Sequence, residues 1–330
     1  MKASDPKLSQ DDAGPPKVFS SPPGGGLGAA QPRRRAPDTT IDRGSAGAWT
    51  SLRYIVEDRF ALASVVILGI FLLVALLSPW LAPYPPFEAA MNDLGRLRRL
   101  EAPSLDHLLG TTAFGNDVLS QFLLGFRVAF LVGLVGAAAV GLISTVFGIV
   151  SGYFGGRIDD VLMRITDVAL SIPTLPFAIV AVGLLGPSVG NIILVITLLF
   201  WRNGARIIRS AVLTERERVY VKWARAAGAS HLHIILHHIL PNVFRVVFLW
   251  VTMSVAFAIL TEASLSFIGL GDPSVVSWGQ MLNTAFASGN IRTAWWWVVP
   301  PAIALVLLIS SLYLIGRAFE EQANPRLRRG

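Results

Sequence analysis

The sequence predicts an all-α membrane protein with six transmembrane helices. Hydrophobic residues make up 53% of the 330 residues and charged residues only 15%, and the apolar residues are gathered into long blocks. A helix needs roughly 20 apolar residues to cross about 30 Å of hydrocarbon. Residues 60–80, 128–150 and 298–315 approach that length without a single charged residue. These three blocks are therefore the clearest predicted spans.

Three less uniform apolar blocks complete the six predicted spans. Each contains or adjoins a charge: residues 161–185, with Arg164 and Asp167; residues 192–201, before Arg202; and residues 246–268, with Glu262. Charged side chains in a span are costly in lipid, so we expect these side chains to face protein or water.

The predicted membrane domain covers residues 56–316 and lies between two tails. Residues 1–50 hold seven Pro and seven Gly with almost no aliphatic periodicity, which predicts a disordered cytoplasmic tail over residues 1–55. A second cytoplasmic tail is predicted over residues 317–330. Because the first apolar block has the length of a full span, we expect it to remain as a membrane anchor.

The distribution of Lys and Arg predicts the orientation of the spans. Residues 202–225 contain seven basic and two acidic residues, whereas residues 269–297 contain Arg292 as their one basic residue. Basic loops stay in the cytoplasm. The chain is therefore predicted to be a multi-pass membrane protein, with both termini cytoplasmic and the loop at residues 82–105 outside.

Several functional classes are unsupported by the sequence. The formal net charge of +7 is explained by membrane topology, so nucleic acid is not an expected partner, whereas membrane lipid is. Cysteine is absent, which excludes a thiolate metal site. The sequence has neither a phosphate-binding Gly-x-x-x-x-Gly-Lys-Ser/Thr loop nor a nucleophile and base set, so we expect no enzyme site and no cofactor on this chain.

A polar and basic segment between two apolar blocks predicts a docking element. It begins Tyr220-Val-Lys-Trp-Ala-Arg-Ala-Ala-Gly228-Ala-Ser230 and closes ten residues later with Leu240-Pro241-Asn. Its alanines favour helix, Gly228 can adopt the backbone angles that end a helix, and Pro241 is expected to stop a second short helix. The segment is therefore predicted to fold as helix, sharp turn and helix.

This segment resembles the "EAA" coupling loop of the membrane subunits of bacterial ABC importers, here within residues 202–242. The resemblance implies that ATPase movement reaches the membrane through this loop. It assigns ATPase coupling to eight residues: Tyr220, Ala224, Ala226, Gly228, Ala229, Ser230, Leu240 and Pro241.

Motifs elsewhere are similar to the dipeptide, oligopeptide and nickel branch of those importers. They are Gly110-Thr111, Gly115-Asn116-Asp117 and Gly125-Phe-Arg127 before the second span, Gly152-Tyr-Phe-Gly-Gly after it, and Glu262-Ala, Leu-Ser266-Phe and Ser277-Trp-Gly-Gln at the end of the fifth. Asn116 or Asp117 is also suited to cap the helix that enters the membrane.

Four residues are candidates for the translocation path or for helix packing: Asp167, Pro173, Glu262 and Ser266. Asp167 lies three residues after Arg164, so the two charges can pair on one helical face. Pro173, with Pro176, is expected to bend the third span. Glu262 either bonds another helix or faces the path.

Four of the five histidines, at positions 231, 233, 237 and 238, lie in the coupling segment. A zinc site is conceivable, but no Asp, Glu or Cys lies close by in the sequence to complete a tetrahedral shell. A role at a protein interface is favoured, and no metal site is assigned.

The resemblance implies a transport complex of the bacterial inner membrane that imports peptides or a related small solute. In it a second, similar permease encloses the path, two ATP-binding subunits carry ATP and Mg, and an extracytoplasmic binding protein delivers the cargo. The alternative is a secondary transporter or channel that works alone, which needs coupling-ion sites or a repeated half.

Overall fold

The computed structural model of the protein describes residues 58–323, with side chains through residue 320. The predicted tail at residues 1–55 and residues 324–330 of the predicted C-terminal tail lie outside the described residues. Within residues 58–323 the chain is helical and contains no β-strand. Ten α-helices follow one another: α1 (Arg59–Leu81), α2 (Val118–Phe154), α3 (Gly156–Ser171), α4 (Thr174–Leu185), α5 (Val189–Arg216), α6 (Val219–Ala226), α7 (His231–Ile234), α8 (Leu240–Leu265), α9 (Trp278–Ala287) and α10 (Trp295–Ala323).

Five of the described helical segments are long and apolar enough to cross a membrane. They contain α1, α2, α5, α8 and α10, and each coincides with one of the predicted spans. The sixth predicted span corresponds to the pair α3 and α4, which meet at an angle of 86°. The all-α fold with six predicted spans is therefore confirmed when this bent pair is taken as one span. The last helix continues to Ala323, beyond the predicted domain end at residue 316.

The bend between α3 and α4 lies at Ile172 and Pro173, as the proline predicts. Both residues have extended backbone angles. At Ile172 the cause is the following proline, which disfavours helical geometry in the residue before it. The side chain of Arg202, on α5, reaches this break and donates to the carbonyl of Ala169 and, at 2.8 Å, to the hydroxyl of Thr174. Arg202 is 3% exposed, so the bend is held by a buried cation.

Helix α2 packs closely against α5 because small residues line its inner face. A β-carbon added at Gly148 would lie 2.7 Å from Cβ of Ile208, and one added at Gly152 would lie 2.8 Å from Cβ of Val212. Glycines at such positions allow two membrane helices to approach closely.

The segment between α1 and α2 packs with α9 at one end of the bundle. Asp117 caps α2, accepting 2.8 Å from the backbone N–H of Ser120, so one of the two predicted caps is realised. The other carboxylate oxygen of Asp117 lies 2.8 Å from Nδ1 of His107, and both side chains are buried. The short helix α9 is tied to α2 by Trp278, whose Nε1 donates to the carbonyl of Phe122 at 3.0 Å.

Candidate functional site

The coupling segment begins with α6 and turns sharply at Gly228. This glycine has φ +82°, which a side chain would strain. Its N–H donates to the carbonyl of Arg225 at 3.1 Å, and the N–H of Ala229 donates to the carbonyl of Ala224 at 3.0 Å. These two bonds form a Schellman motif, which satisfies carbonyls at the end of α6.

A second helix starts at once after this turn. Ser230 is its cap, and its hydroxyl accepts from the backbone N–H of His233 at 3.3 Å. The predicted sequence of helix, sharp turn and helix is therefore present in the structure.

The predicted helix stop at Pro241 is wrong. After α7 the chain passes through one π-helical turn, Ile235–Ile239, directly into α8, where Pro241 is among the first two residues. In that turn the N–H of Leu240 donates to the carbonyl of Ile235, five residues earlier. Because the hydrogen bonds here already depart from the regular four-residue pattern, the missing N–H of Pro241 does not end the helix. The second helix of the coupling segment is therefore continuous with the fifth span.

One face of the coupling segment packs into the end of the bundle formed by the C-terminal turns of α2 and α5. Val221, Ile234 and Ile239 are fully buried there. They share an apolar cluster with Ile149 and Tyr153 of α2, Ile208 and Val212 of α5, and Val243 of α8. Burying three aliphatic side chains contributes roughly 1.5–3 kcal/mol each, so the segment is fixed to three spans.

The opposite face exposes large apolar side chains. We call Val219, Trp223, Leu232 and Leu236 the docking surface, and Trp223 is the most exposed of them, at 72%. Each pair, 219 with 223 and 232 with 236, is spaced four residues apart and therefore shares one helical face. Such exposed apolar groups at the end of a membrane bundle are typical of a protein interface.

The eight predicted coupling residues all lie within this segment. Ala224, Ala229 and Leu240 are half-buried against the bundle, and the remaining five, Tyr220, Ala226, Gly228, Ser230 and Pro241, are exposed. The hydroxyl of Tyr220 donates to the carboxylate of Glu215. None of the four residues of the docking surface was predicted from the sequence, although the four-residue spacing within each pair is a readable signal.

The charges beside the docking surface are partly paired. Lys222 Nζ lies 3.0 Å from a carboxylate oxygen of Glu217, and this hydrogen bond lowers the pKa of Glu217 below its ordinary value. Both side chains are more than half exposed, so the pair contributes little to stability.

The histidines of the segment contact one another and the bundle. Nδ1 of His231 lies 3.0 Å from the hydroxyl of Tyr153, and the rings of His233 and His237 stack at 4.3 Å. Within residues 58–323 no three His, Asp or Glu side chains converge in a geometry that could hold a metal ion.

Asp167 forms an ion pair different from the predicted one. Its carboxylate pairs with Arg206 of α5 and not with Arg164 of its own helix. Asp159, further back on α3, pairs with Arg209 of α5 at 2.5 Å. The reason is that α5 lies beside α3 and presents both arginines to it, which the sequence of α3 alone does not reveal.

Glu262 is buried where α8 meets α9. It is 4% exposed and accepts from the hydroxyl of Ser266 at 2.6 Å, and the side chain of Ser277 also hydrogen-bonds to it. Ser277 in turn caps α9, accepting from the N–H of Gln280 at 3.2 Å. This geometry favours the helix-packing alternative for Glu262 and Ser266. Pro173, another of the four candidates, lies at the break before α4.

Comparison with known proteins identifies the family. Residues 144–329 match the family model of the binding-protein-dependent transport system inner membrane component. Residues 48–103 match the N-terminal TM domain of oligopeptide transport permease C.

Three curated relatives are similar over most of the chain. A putative peptide transport system permease protein of Brucella abortus biovar 1 (strain 9-941) is 34% identical over 87% of this chain and 95% of its own length. The dipeptide transport system permease protein DppC of Bacillus subtilis (strain 168) is 32% identical over 86% of each chain. The probable D,D-dipeptide transport system permease protein DdpC of Escherichia coli (strain K12) is 36% identical over 80% of this chain and 86% of its own. The chain therefore belongs to the family of binding-protein-dependent transport system inner membrane components, the permease subunits of ABC importers.

Proposed function

We propose that this chain couples ATP hydrolysis by partner subunits to the import of peptides. The observation that carries the proposal is the continuity of the coupling segment with the fifth span. The docking surface lies on α6 and on the helical stretch His231–Ile239, and that stretch runs into α8 without a break. A force applied to Leu232 or Leu236 would therefore act directly on the fifth span.

The proposed complex contains a second, homologous permease that closes the path. Two ATP-binding subunits dock on the two coupling segments, and ATP and Mg are bound there, with no cofactor on this chain. An extracytoplasmic binding protein delivers the cargo on the outer side. Peptides are the proposed cargo because the relatives are named for peptide and dipeptide transport.

The proposed mechanism is alternating access. ATP binding closes the two partner subunits, and each presses on a docking surface. Because the inner face of the segment is packed against α2 and α5, the movement passes to the bundle instead of bending the loop. ATP hydrolysis and product release then return the permeases to the inward-facing state.

The proposed orientation places both termini in the cytoplasm. Arg206, Arg209, Arg216 and Arg218 all cluster at the end of the bundle that carries the docking surface, which is the side where basic residues are retained. The loop at residues 82–105 is then on the extracytoplasmic side, at the opposite end of α2.

Reconstitution into liposomes tests the proposal against a transporter that works alone. We expect peptide uptake when the second permease, the ATP-binding subunits and the binding protein are all present with ATP. We expect none from this chain alone with an imposed proton or sodium gradient. Gradient-driven uptake by the chain alone would favour the secondary transporter.

A further inference from the structure

An apolar cavity with a single cation opens at the outer end of the bundle. Its volume is about 410 Å³, and it lies between the segment after α1, the first turns of α2 and the segment before α9. Its apolar walls include Phe87, Leu124, Leu131, Val275 and Val276. The one charged residue in its lining is Arg127.

Arg127 lies where α2 enters the hydrocarbon. It is nine residues, or about 14 Å, from the start of the helix at Val118. The following residues, 128–150, contain no charged side chain. Leu124, three residues before Arg127, and Leu131, four residues after it, share its helical face. The guanidinium is therefore at the depth of lipid headgroups, with an apolar groove beside it.

No protein partner neutralises this cation. Among residues 58–323, no carboxylate, hydroxyl or aromatic ring pairs with Arg127, and its side chain is exposed. The hydroxyl of Ser274, which also lines the cavity, donates to Asp272 at 2.6 Å. The carboxylate of Asp272 also accepts from the N–H groups of Ser274 and Val189.

We propose that this cavity binds an anionic phospholipid, with the phosphate on Arg127 and an acyl chain along the apolar walls. The charge of the phosphate complements the unpaired guanidinium. An acyl chain forms no hydrogen bonds. It is therefore compatible with walls whose polar side chains are Arg127 and Ser274, since the hydroxyl of Ser274 already donates to Asp272. A peptide would bring one N–H and one C=O per residue that these walls leave unsatisfied.

Native mass spectrometry of the purified full chain tests this site. The probes are phosphatidylglycerol and phosphatidylcholine with identical acyl chains. We expect phosphatidylglycerol to be retained in preference, and Arg127→Gln to weaken its binding about tenfold, as loss of a charge-assisted hydrogen bond predicts. Arg127→Lys should keep most of the preference for the anionic lipid, because the charge remains.

Two further variants separate the groove from the charge. Leu131→Trp fills the groove without changing the charge, and we expect it to weaken lipid binding to a similar degree. Arg292→Gln removes an exposed arginine outside the cavity and should change nothing. Circular dichroism of each variant establishes that its helices are intact before its binding is compared.

Any one of the following results would overturn the proposal. These are equal retention of the two lipids, equal binding by Arg127→Gln and wild type, unchanged binding by Leu131→Trp, and displacement of phosphatidylglycerol by inorganic phosphate alone. Displacement by an apolar tripeptide would also overturn it and would assign the cavity to the cargo.

Discussion

Arg202 of α5 donates a hydrogen bond to the carbonyl of Ala169, in the last turn of α3. The guanidinium thereby supplies a donor at a helix end where Pro173 has no N–H to donate, and its positive charge compensates the negative end of the α3 dipole. The bent third span is thus fixed from a neighbouring helix and not by its own sequence alone.

We predict that Arg202→Gln loosens this bend. A glutamine is too short to reach both Ala169 and Thr174, so at least one hydrogen bond is lost, and we expect the free energy of unfolding to fall by about 1–3 kcal/mol. Thermal unfolding in detergent measures the loss. Arg292→Gln serves as the control on an exposed arginine, and an unchanged melting temperature for Arg202→Gln would contradict the assigned role.

Substitution of Gly228 separates backbone strain from steric clash. No atom lies within 4 Å of a β-carbon added there, so a side chain meets no neighbour in this chain, yet φ is +82°. Gly228→Val should therefore cost about 1 kcal/mol or more in strain and weaken docking of the ATP-binding subunits. Gly228→Asn should cost less, because Asn tolerates this conformation.

For Gly228→Val and Gly228→Asn, the measurement is the amount of ATP-binding subunit that copurifies with each variant when both are inserted in the membrane to the same extent. If Gly228→Val complexes copurify fully and transport at the normal rate, the turn has no coupling role.

Two substitutions of Glu262 test whether it joins α8 to α9. Glu262→Gln keeps an acceptor for Ser266 and should retain most transport activity. Glu262→Leu leaves the hydroxyls of Ser266 and Ser277 without their acceptor in a buried site, which costs about 1–3 kcal/mol. Assembly and thermal stability are the measurements, and equal, full activity of both variants would refute the packing role.

Asp272, in the segment before α9, is expected to make stability depend on pH. Hydrogen bonds from Ser274, together with that from the N–H of Val189, lower the pKa of Asp272 below its ordinary value. A depressed pKa means that the stabilisation is complete above about pH 4, the unfolded value, and is lost as the pH falls through the folded value. Asp272→Asn should therefore show a smaller fall in melting temperature between about pH 5 and pH 3 than the wild type. Identical pH profiles would exclude this contribution.

Labelling of introduced cysteines tests the orientation. The chain has no native cysteine, so each label reports one position. A cysteine at Asp93 should react with an impermeant thiol reagent added outside intact cells, and one at Thr214 should react after the membrane is opened. The reverse pattern would overturn the orientation.

Much of this fold could be predicted from the sequence because membrane spans are local features. The lengths of the apolar blocks predicted α1, α2 and α10, and the prolines predicted the bend after α3. The partner of Asp167 could not be predicted, since Arg206 comes from a helix that is distant in sequence. The helix stop expected at Pro241 is absent because the π-helical turn before it depends on the burial of Ile234 and Ile239, which only the packed bundle supplies.

The most direct test of the central claim is the effect of Leu232→Asp on copurification of the ATP-binding subunits and on ATP-driven uptake. Leu232 is exposed on the docking surface, and a charge there would be buried on docking at a large desolvation cost. The matched control is Leu105→Asp, since Leu105 is 96% exposed in the outer loop. We predict at least about a tenfold loss of copurified ATP-binding subunit and of uptake for Leu232→Asp, with the control unchanged. Normal copurification and uptake by Leu232→Asp would contradict the assignment of this surface.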